Sequence, residues 1–299
     1  MNIIFNYLNK LFMNNLDSNN EKPYIRPKLI ELSKEEEKKP FNTEELENIF
    51  NEKFSFINFK TSNLKYLTYY YYNSESINDY NWGCAWRSTQ TVLSYLLSIK
   101  GELSKKDISF KSLFMNYGSQ STLINIFKKD YNINSEKIPD YLDIPFSPFE
   151  TDKGWAEPFI SKLILFDFGF KSELFLINNY PVHAYAPKEV FQKTINFEEF
   201  VKVLEKHFNH KNPSPIIIDD SCISLIISGI KVEDNFVYLI ILDPHIQLKR
   251  KGDTGIYYIK LLKDGSYDIN ENKQETIFGE RLNFKEINWM ILLPENISN

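Results

Sequence analysis

Two short blocks hold the residue types from which a nucleophilic site is built. The first is Asn81-Trp82-Gly83-Cys84-Ala85-Trp86-Arg87, followed by Gln90. Thr89, Val92, Leu93, Leu96 and Leu97 recur behind it at helical spacing, which predicts a helix from Cys84 to about Ile99. Cys84 then stands where a loop becomes a helix, with a glycine before it. The amino-terminal end of a helix dipole favours the thiolate, the nucleophilic form of cysteine. Glycine permits a sharp turn or the close approach of a substrate. A free cysteine is nonetheless most often a small buried hydrophobe, so Cys84 alone points no further. The second block shifts that balance. The apolar run Phe236–Leu242 reads as a strand and ends in Asp243-Pro244-His245. Residues two apart in an extended segment leave the same face, and Pro244 fixes a backbone torsion between them. The aspartate can hold the imidazole tautomer, leaving the other nitrogen to activate a thiol. An Asp-Pro turn after a strand is common, so this block too is weak by itself. Together they supply the parts of a Cys-His-Asp hydrolase.

The elements that must position these blocks follow an α+β order. Asn42 followed by Glu45 marks a helix start, with Leu46, Ile49, Phe50 and Phe54 behind it. The Tyr-rich run Leu64–Tyr72 predicts a strand. Helices are expected over Pro158–Phe168 and Asn196–Phe208, and strands over Pro215–Ile218, Cys222–Ile230, Phe236–Leu242, Ile256–Leu262 and Trp289–Leu293. Residues 1–60 are set apart as a polar, partly disordered extension, because Asn14–Pro40 is rich in Asn, Lys and Glu; residues 61–299 form the main domain.

Composition narrows the field. The chain has 299 residues, 42% of them hydrophobic and 25% charged, which excludes a wholly disordered or collagen-like chain. A net charge of −5 gives no support to nucleic-acid binding through bulk positive charge. Two cysteines, Cys84 and Cys222, exclude a disulfide framework or a four-cysteine zinc site. Apolar runs fall far short of the roughly 20 residues a spanning helix needs. Met1–Met13 makes a poor signal peptide and reads as a frayed terminal helix, with a short amphipathic helix lying on a partner or membrane surface as the alternative, and a cytoplasmic, reducing location is expected.

The two blocks, in this order, resemble the Ufm-specific cysteine proteases, which process a ubiquitin-fold modifier. That family carries a Trp-Gly-Cys-Gly/Ala-Tyr-Arg block and a later Asp-Pro-His block. The resemblance implies a papain-like cysteine protease fold with a helical first half packed on a mostly antiparallel sheet. It implies Cys84 as nucleophile, His245 as base and Asp243 as orienter. The tyrosine that completes the family's oxyanion hole lies twelve residues before the cysteine, the place of Tyr72. Asp79 matches the acid preceding the first block, Gly154-Trp155 a central Trp-containing segment, and Trp289–Pro294 the closing strand. The implied reaction is cleavage after the modifier's carboxy-terminal glycine, in precursors or conjugates, without cofactor or metal. An adaptor reached through residues 1–60 is a further expected partner.

Departures accompany the match. Asp219-Asp220-Ser221-Cys222 stands where family members have a glycine triplet, and Leu225 stands at a histidine position. Two carboxylates near the centre would raise the thiol pKa. Trp86 replaces a tyrosine, a mild change if that side chain only packs. The rival readings are an autophagy-modifier-processing cysteine protease and a non-catalytic modifier-binding relative. A zinc-finger deubiquitinase branch is disfavoured, since no Cys/His array precedes the domain. Of the remaining candidates, Cys222 reads as core, His207 and His210 as a solvated helix end, and His183 as a loop residue. Lys249-Arg250-Lys251 reads as a solvated turn, with contact to acidic residues of a modifier as its functional alternative.

Overall fold

The computed structural model describes residues 29–34, 38–55, 57–75, 77–118, 120–131, 156–181, 184, 186, 188–246, 253–267 and 282–297. In chain order these form α1 (Thr43–Phe54), β1 (Lys60–Thr61), α2 (Cys84–Ile99), α3 (Phe110–Tyr117), α4 (Gln120–Asp130), α5 (Pro158–Asp167), β2 (Ser172–Ile177), β3 (Lys193–Ile195), α6 (Phe197–Phe208), β4 (Ile216–Asp219), β5 (Ser224–Val232), β6 (Phe236–Leu242), β7 (Ile256–Leu262) and β8 (Trp289–Pro294). The expected α+β order is present, with α2 and β6 spanning the residues expected of them.

The strands form one sheet in the order β3-β2-β8-β4-β5-β6-β7, with β1 paired to β5. Every pairing is antiparallel except β2 with β3. Side chains alternate between its faces. Ile217, Ile226, Ile240, Leu242, Met290 and Leu292 pack into one core with α2, α3 and α5. Ile216, Ile218, Ile227, Leu239, Ile241 and Ile291 pack into a second core with α6. Covering both faces explains why these strands read as unbroken apolar runs rather than alternating ones.

Local chemistry fixes the helix starts. Asn42 and Glu45 form a reciprocal capping box on α1, and Asn196 and Glu199 form another on α6. Although α1 lies in the stretch set apart as an extension, Leu46, Phe50 and Phe54 are buried in the same core as α2. Residues 1–28, most of that stretch, lie outside the described residues.

Three local expectations are corrected. Leu64–Tyr72 is not a sheet strand: it opens with a 3-10 turn over Leu64–Tyr66 and then runs extended against α2. Along this run Thr68 N–H donates to Ser94 Oγ and Tyr70 N–H to Thr91 Oγ1 of α2, while Tyr69 between them exchanges backbone bonds with Phe41 in an isolated antiparallel bridge. Cys222 is not core but half-buried in the β4–β5 turn. His207 is not solvated: it is buried and its Nε2 lies 2.7 Å from the Ser214 carbonyl oxygen. Burial lowers its pKa to about 4, against the raising effect of that contact.

Candidate active site

The Cys84 block owes its shape to a buried ion pair. Arg87 and Asp79 are fully buried, and the guanidinium grips the carboxylate with two bonds, Nε to Oδ2 at 2.8 Å and Nη2 to Oδ1 at 3.1 Å. Asp79 also accepts from the Asn73 amide, and its carbonyl accepts from the amides of Trp82 and Gly83. Arg87 reaches Glu75 and Gln90 as well, and stacks 4.3 Å from the centre of Phe110. Gln90 is thus part of this network. The loop closes so tightly that a Cβ at Gly83 would lie 2.2 Å from Asp79 Oδ2. Gly83 has an ordinary φ of −86°, so close packing, not an unusual turn, requires glycine there. Trp82 and Trp86 pack against Phe110 and Phe114, so Trp86 serves as packing.

Cys84 is the first residue of α2 and is 5% exposed. The last turn of its surroundings comes from the sheet. Beyond the end of β6 the chain turns through Asp243, Pro244 and His245, so the two side chains meet across a turn rather than along an extended strand. Asp243 Oδ1 accepts from the His245 amide at 3.0 Å and lies 2.7 Å from His245 Nδ1. Its Oδ2 accepts from the Tyr257 hydroxyl at 3.0 Å, and its carbonyl accepts from the Tyr69 hydroxyl at 2.6 Å. Tyr72 is tied to the same turn, donating its amide to the Pro244 carbonyl at 3.0 Å. Its ring stands edge-on to the His245 imidazole with centres 5.2 Å apart.

The structure therefore brings all four expected residues, Cys84, His245, Asp243 and Tyr72, to one place. Burial pushes the Cys84 thiol up. The charge and hydrogen bond of His245, the Ser224 amide and the Tyr72 hydroxyl outweigh it, so the thiol pKa lies below its usual 9.0. Burial likewise opposes the imidazolium, yet Asp243 and the Cys84 thiolate raise His245 to about 10. These opposite shifts favour a thiolate–imidazolium pair. Tyr72 is raised well above its usual value by burial and then by Cys84, and stays a donor.

The departures at the cleft floor take another form than expected. Asp219 and Asp220 build the β4–β5 turn: Asp219 Oδ1 accepts from Ser221 N–H at 2.7 Å, and Asp220 Oδ1 from Cys222 N–H at 2.9 Å and Ile223 N–H at 2.8 Å. Burial, then Cys84, Glu157 and Asp220, push the Asp219 carboxyl well above the carboxylate range. The expected rise of the thiol pKa is not seen: with Asp219 in place, His245, the Ser224 amide and the Tyr72 hydroxyl still lower it. Leu225 points into the core shared with α6, and the neighbouring Ser224 instead faces α2, its hydroxyl 3.4 Å from that of Ser88.

Sequence reasoning missed Ser224, Tyr69 and Tyr257. The Ser224 contact is a backbone amide, which leaves no residue-type signature. The two tyrosines sit in aromatic stretches that read equally well as packing. His183, Trp155 and Lys249–Lys251 lie outside the described residues. Among the described residues no group of acidic, histidine or cysteine side chains could hold a metal ion, and no helix is long and apolar enough to cross a membrane.

Comparison with known proteins places this geometry in context. Residues 59–156 match the model of peptidase family C78, the Ufm-specific protease family that the two blocks resemble. No curated protein matches the chain. The crystal structure of UfSP from C. elegans is similar, at 17% identity and a TM-score of 0.46 over 81% of this chain. The alignment covers 35% of that solved chain, so this protein spans about a third of its length.

Proposed function

We infer that this chain, whose residues 59–156 match the model of peptidase family C78, is a thiol protease that cleaves after the carboxy-terminal glycine of a ubiquitin-fold modifier of the Ufm type. The observation that carries the reading is the convergence of the helix-start Cys84 with His245, itself bonded to Asp243 at 2.7 Å. A modifier tail ending in glycine is narrow enough to reach a cysteine that is 5% exposed. The Cys84 thiolate attacks the glycyl carbonyl. The negative charge that develops on oxygen is met by the Tyr72 hydroxyl and by the amides of the first turn of α2, which have no carbonyl partner within the helix. His245 then gives its proton to the departing amine, and the thioester remains on Cys84. Water, deprotonated by His245, attacks the thioester and releases the glycine carboxylate and the thiol. The leaving amine belongs to a short extension in maturation or to a target lysine in deconjugation. Both substrates, a cytoplasmic location and an adaptor reached through residues 1–60 belong to the same reading.

The test offers purified Ufm-type and autophagy-type modifiers, each with a carboxy-terminal extension. Release of the extension from the Ufm-type modifier is expected, together with labelling of Cys84 by a probe carrying a glycine-tailed vinyl sulfone. Cleavage of the autophagy-type modifier alone would overturn the choice of substrate. Tight binding without turnover or labelling would make the chain a non-catalytic modifier-binding relative.

Tyr72→Phe removes the oxyanion donor and, with it, one of the groups that lower the Cys84 thiol pKa. Its ring contact with His245 survives, so substrate binding and fold are preserved while kcat falls by about 10²- to 10³-fold. Steady-state kinetics on the extended modifier measure this, and an unchanged kcat would remove Tyr72 from the reaction.

A further inference from the structure

Asp243 is held at every polar atom. Its amide donates to the Gly255 carbonyl at 2.8 Å, its carbonyl accepts from Tyr69, and Oδ1 is turned to His245. The remaining carboxylate oxygen, Oδ2, accepts from the Tyr257 hydroxyl at 3.0 Å. Tyr257 lies on β7, directly opposite Ile241 of β6 and 3% exposed, so its ring is anchored by the sheet rather than by the catalytic turn. Gly255 completes the clamp. With φ of +62°, it brings the backbone so near that a Cβ there would lie 2.5 Å from the Asp243 carbonyl oxygen and 2.7 Å from the Tyr69 hydroxyl.

We propose that Tyr257 is a positioning residue of the catalytic site, fixing the Asp243 carboxylate so that its other oxygen stays on His245 and the imidazolium stays beside Cys84. The inference rests on reading Cys84, His245 and Asp243 as catalytic. Without the phenol, a carboxylate oxygen in a group that is 3% exposed loses its donor. The carboxylate is then free to rotate about its Cβ–Cγ bond, which loosens its hold on His245. Burial and the neighbouring Asp243 keep the Tyr257 phenol protonated well above its usual range, so it remains a donor throughout the working pH range.

Tyr257→Phe keeps the ring and removes the hydroxyl. The experiment measures the pH dependence of iodoacetamide alkylation at Cys84 in a Cys222→Ser background, a reaction that needs no modifier. The inflection is expected to move upward in Tyr257→Phe, because a weaker imidazolium stabilises the thiolate less. On the cleavable modifier, kcat is expected to fall about ten- to a hundredfold with KM unchanged, the rate equivalent of one lost hydrogen bond to a charged group. A double variant with Asp243→Asn should show no further shift beyond Asp243→Asn alone, since both act through one carboxyl. An unmoved inflection in a folded variant, judged by its circular dichroism melt, overturns the proposal. So does full additivity in the double variant, which still reads the coupling if Tyr257→Phe proves less stable. Failure of wild type to cleave any modifier would sink the functional reading and leave the alkylation result standing on its own.

Discussion

Cys84→Ala is expected to lower cleavage of an extended Ufm-type modifier by a factor on the order of 10⁴ to 10⁶, leaving the fold intact. The methyl group fits where a 5% exposed thiol sat, and no other group at the site is a comparable nucleophile. His245→Ala should be nearly as damaging, and the pair together little worse than either alone, because they act as one unit. The two variants differ in a second measurement. In wild type, the thiolate persists below pH 9.0 because His245, raised to about 10, keeps its proton beside it. As pH falls, activity is lost when Cys84 takes up a proton; as pH rises, it is lost when His245 gives its proton up. Removing His245 leaves burial as the largest influence on the sulfur, and burial raises a thiol pKa. Alkylation of Cys84 in His245→Ala should therefore show an inflection moved upward relative to wild type. An inflection that stays low would mean that the helix end and the Ser224 and Tyr72 donors suffice without the imidazolium.

Arg87→Met is expected to cost about 3–5 kcal/mol of stability, which is large against the whole stability of a typical domain. The substitution leaves the Asp79 carboxylate fully buried with its bidentate partner gone. It also strips Glu75 and Gln90 of a shared donor and removes the stack on Phe110. For a chain of this size the melting temperature should fall by about 10 °C. Arg87→Lys should rescue only part of this, since an ammonium cannot reproduce the two parallel bonds to Asp79. As a control, Lys202→Ala breaks an ion pair whose side chains are 68% and 74% exposed, and no change in melting is expected. Thermal melts of the three variants decide the matter. Equal melting of Arg87→Met and wild type would show that the Cys84 loop does not depend on this pair.

How much of this was legible in the sequence depended on whether the signal was periodic, local or long-range. The stripe of α6 and the buried runs of β5 to β8 were readable because a covered face demands apolar residues at fixed spacing. The capping box of α1 was readable because Asn42 and Glu45, three apart, do their work within one turn. The four tyrosines ending at Tyr72 misled, since strand propensity describes a half-buried extended surface and a segment lying along a helix meets that description too. The meeting of Cys84 with Asp243 and His245 was legible as two blocks, but the physical reason for Gly83 was not. Close contact with Asp79 is a tertiary fact that no spacing encodes. The same holds for Tyr257, whose value comes from reaching Asp243 across the edge of the sheet.

Cys84 begins a helix in one layer, while His245 and Asp243 sit on a turn at the end of a sheet strand that follows much later in the chain. During synthesis, therefore, the thiol emerges long before the groups that activate it. A nascent chain that stops short of Asp243 carries a cysteine with neither imidazolium nor its tyrosine donors locked in place, and should react with alkylating agents as slowly as a peptide thiol. Reactivity arrives with the docking of β6 and β7, in one step and late. The thiol is thus left without its activating partners until β6 and β7 have docked.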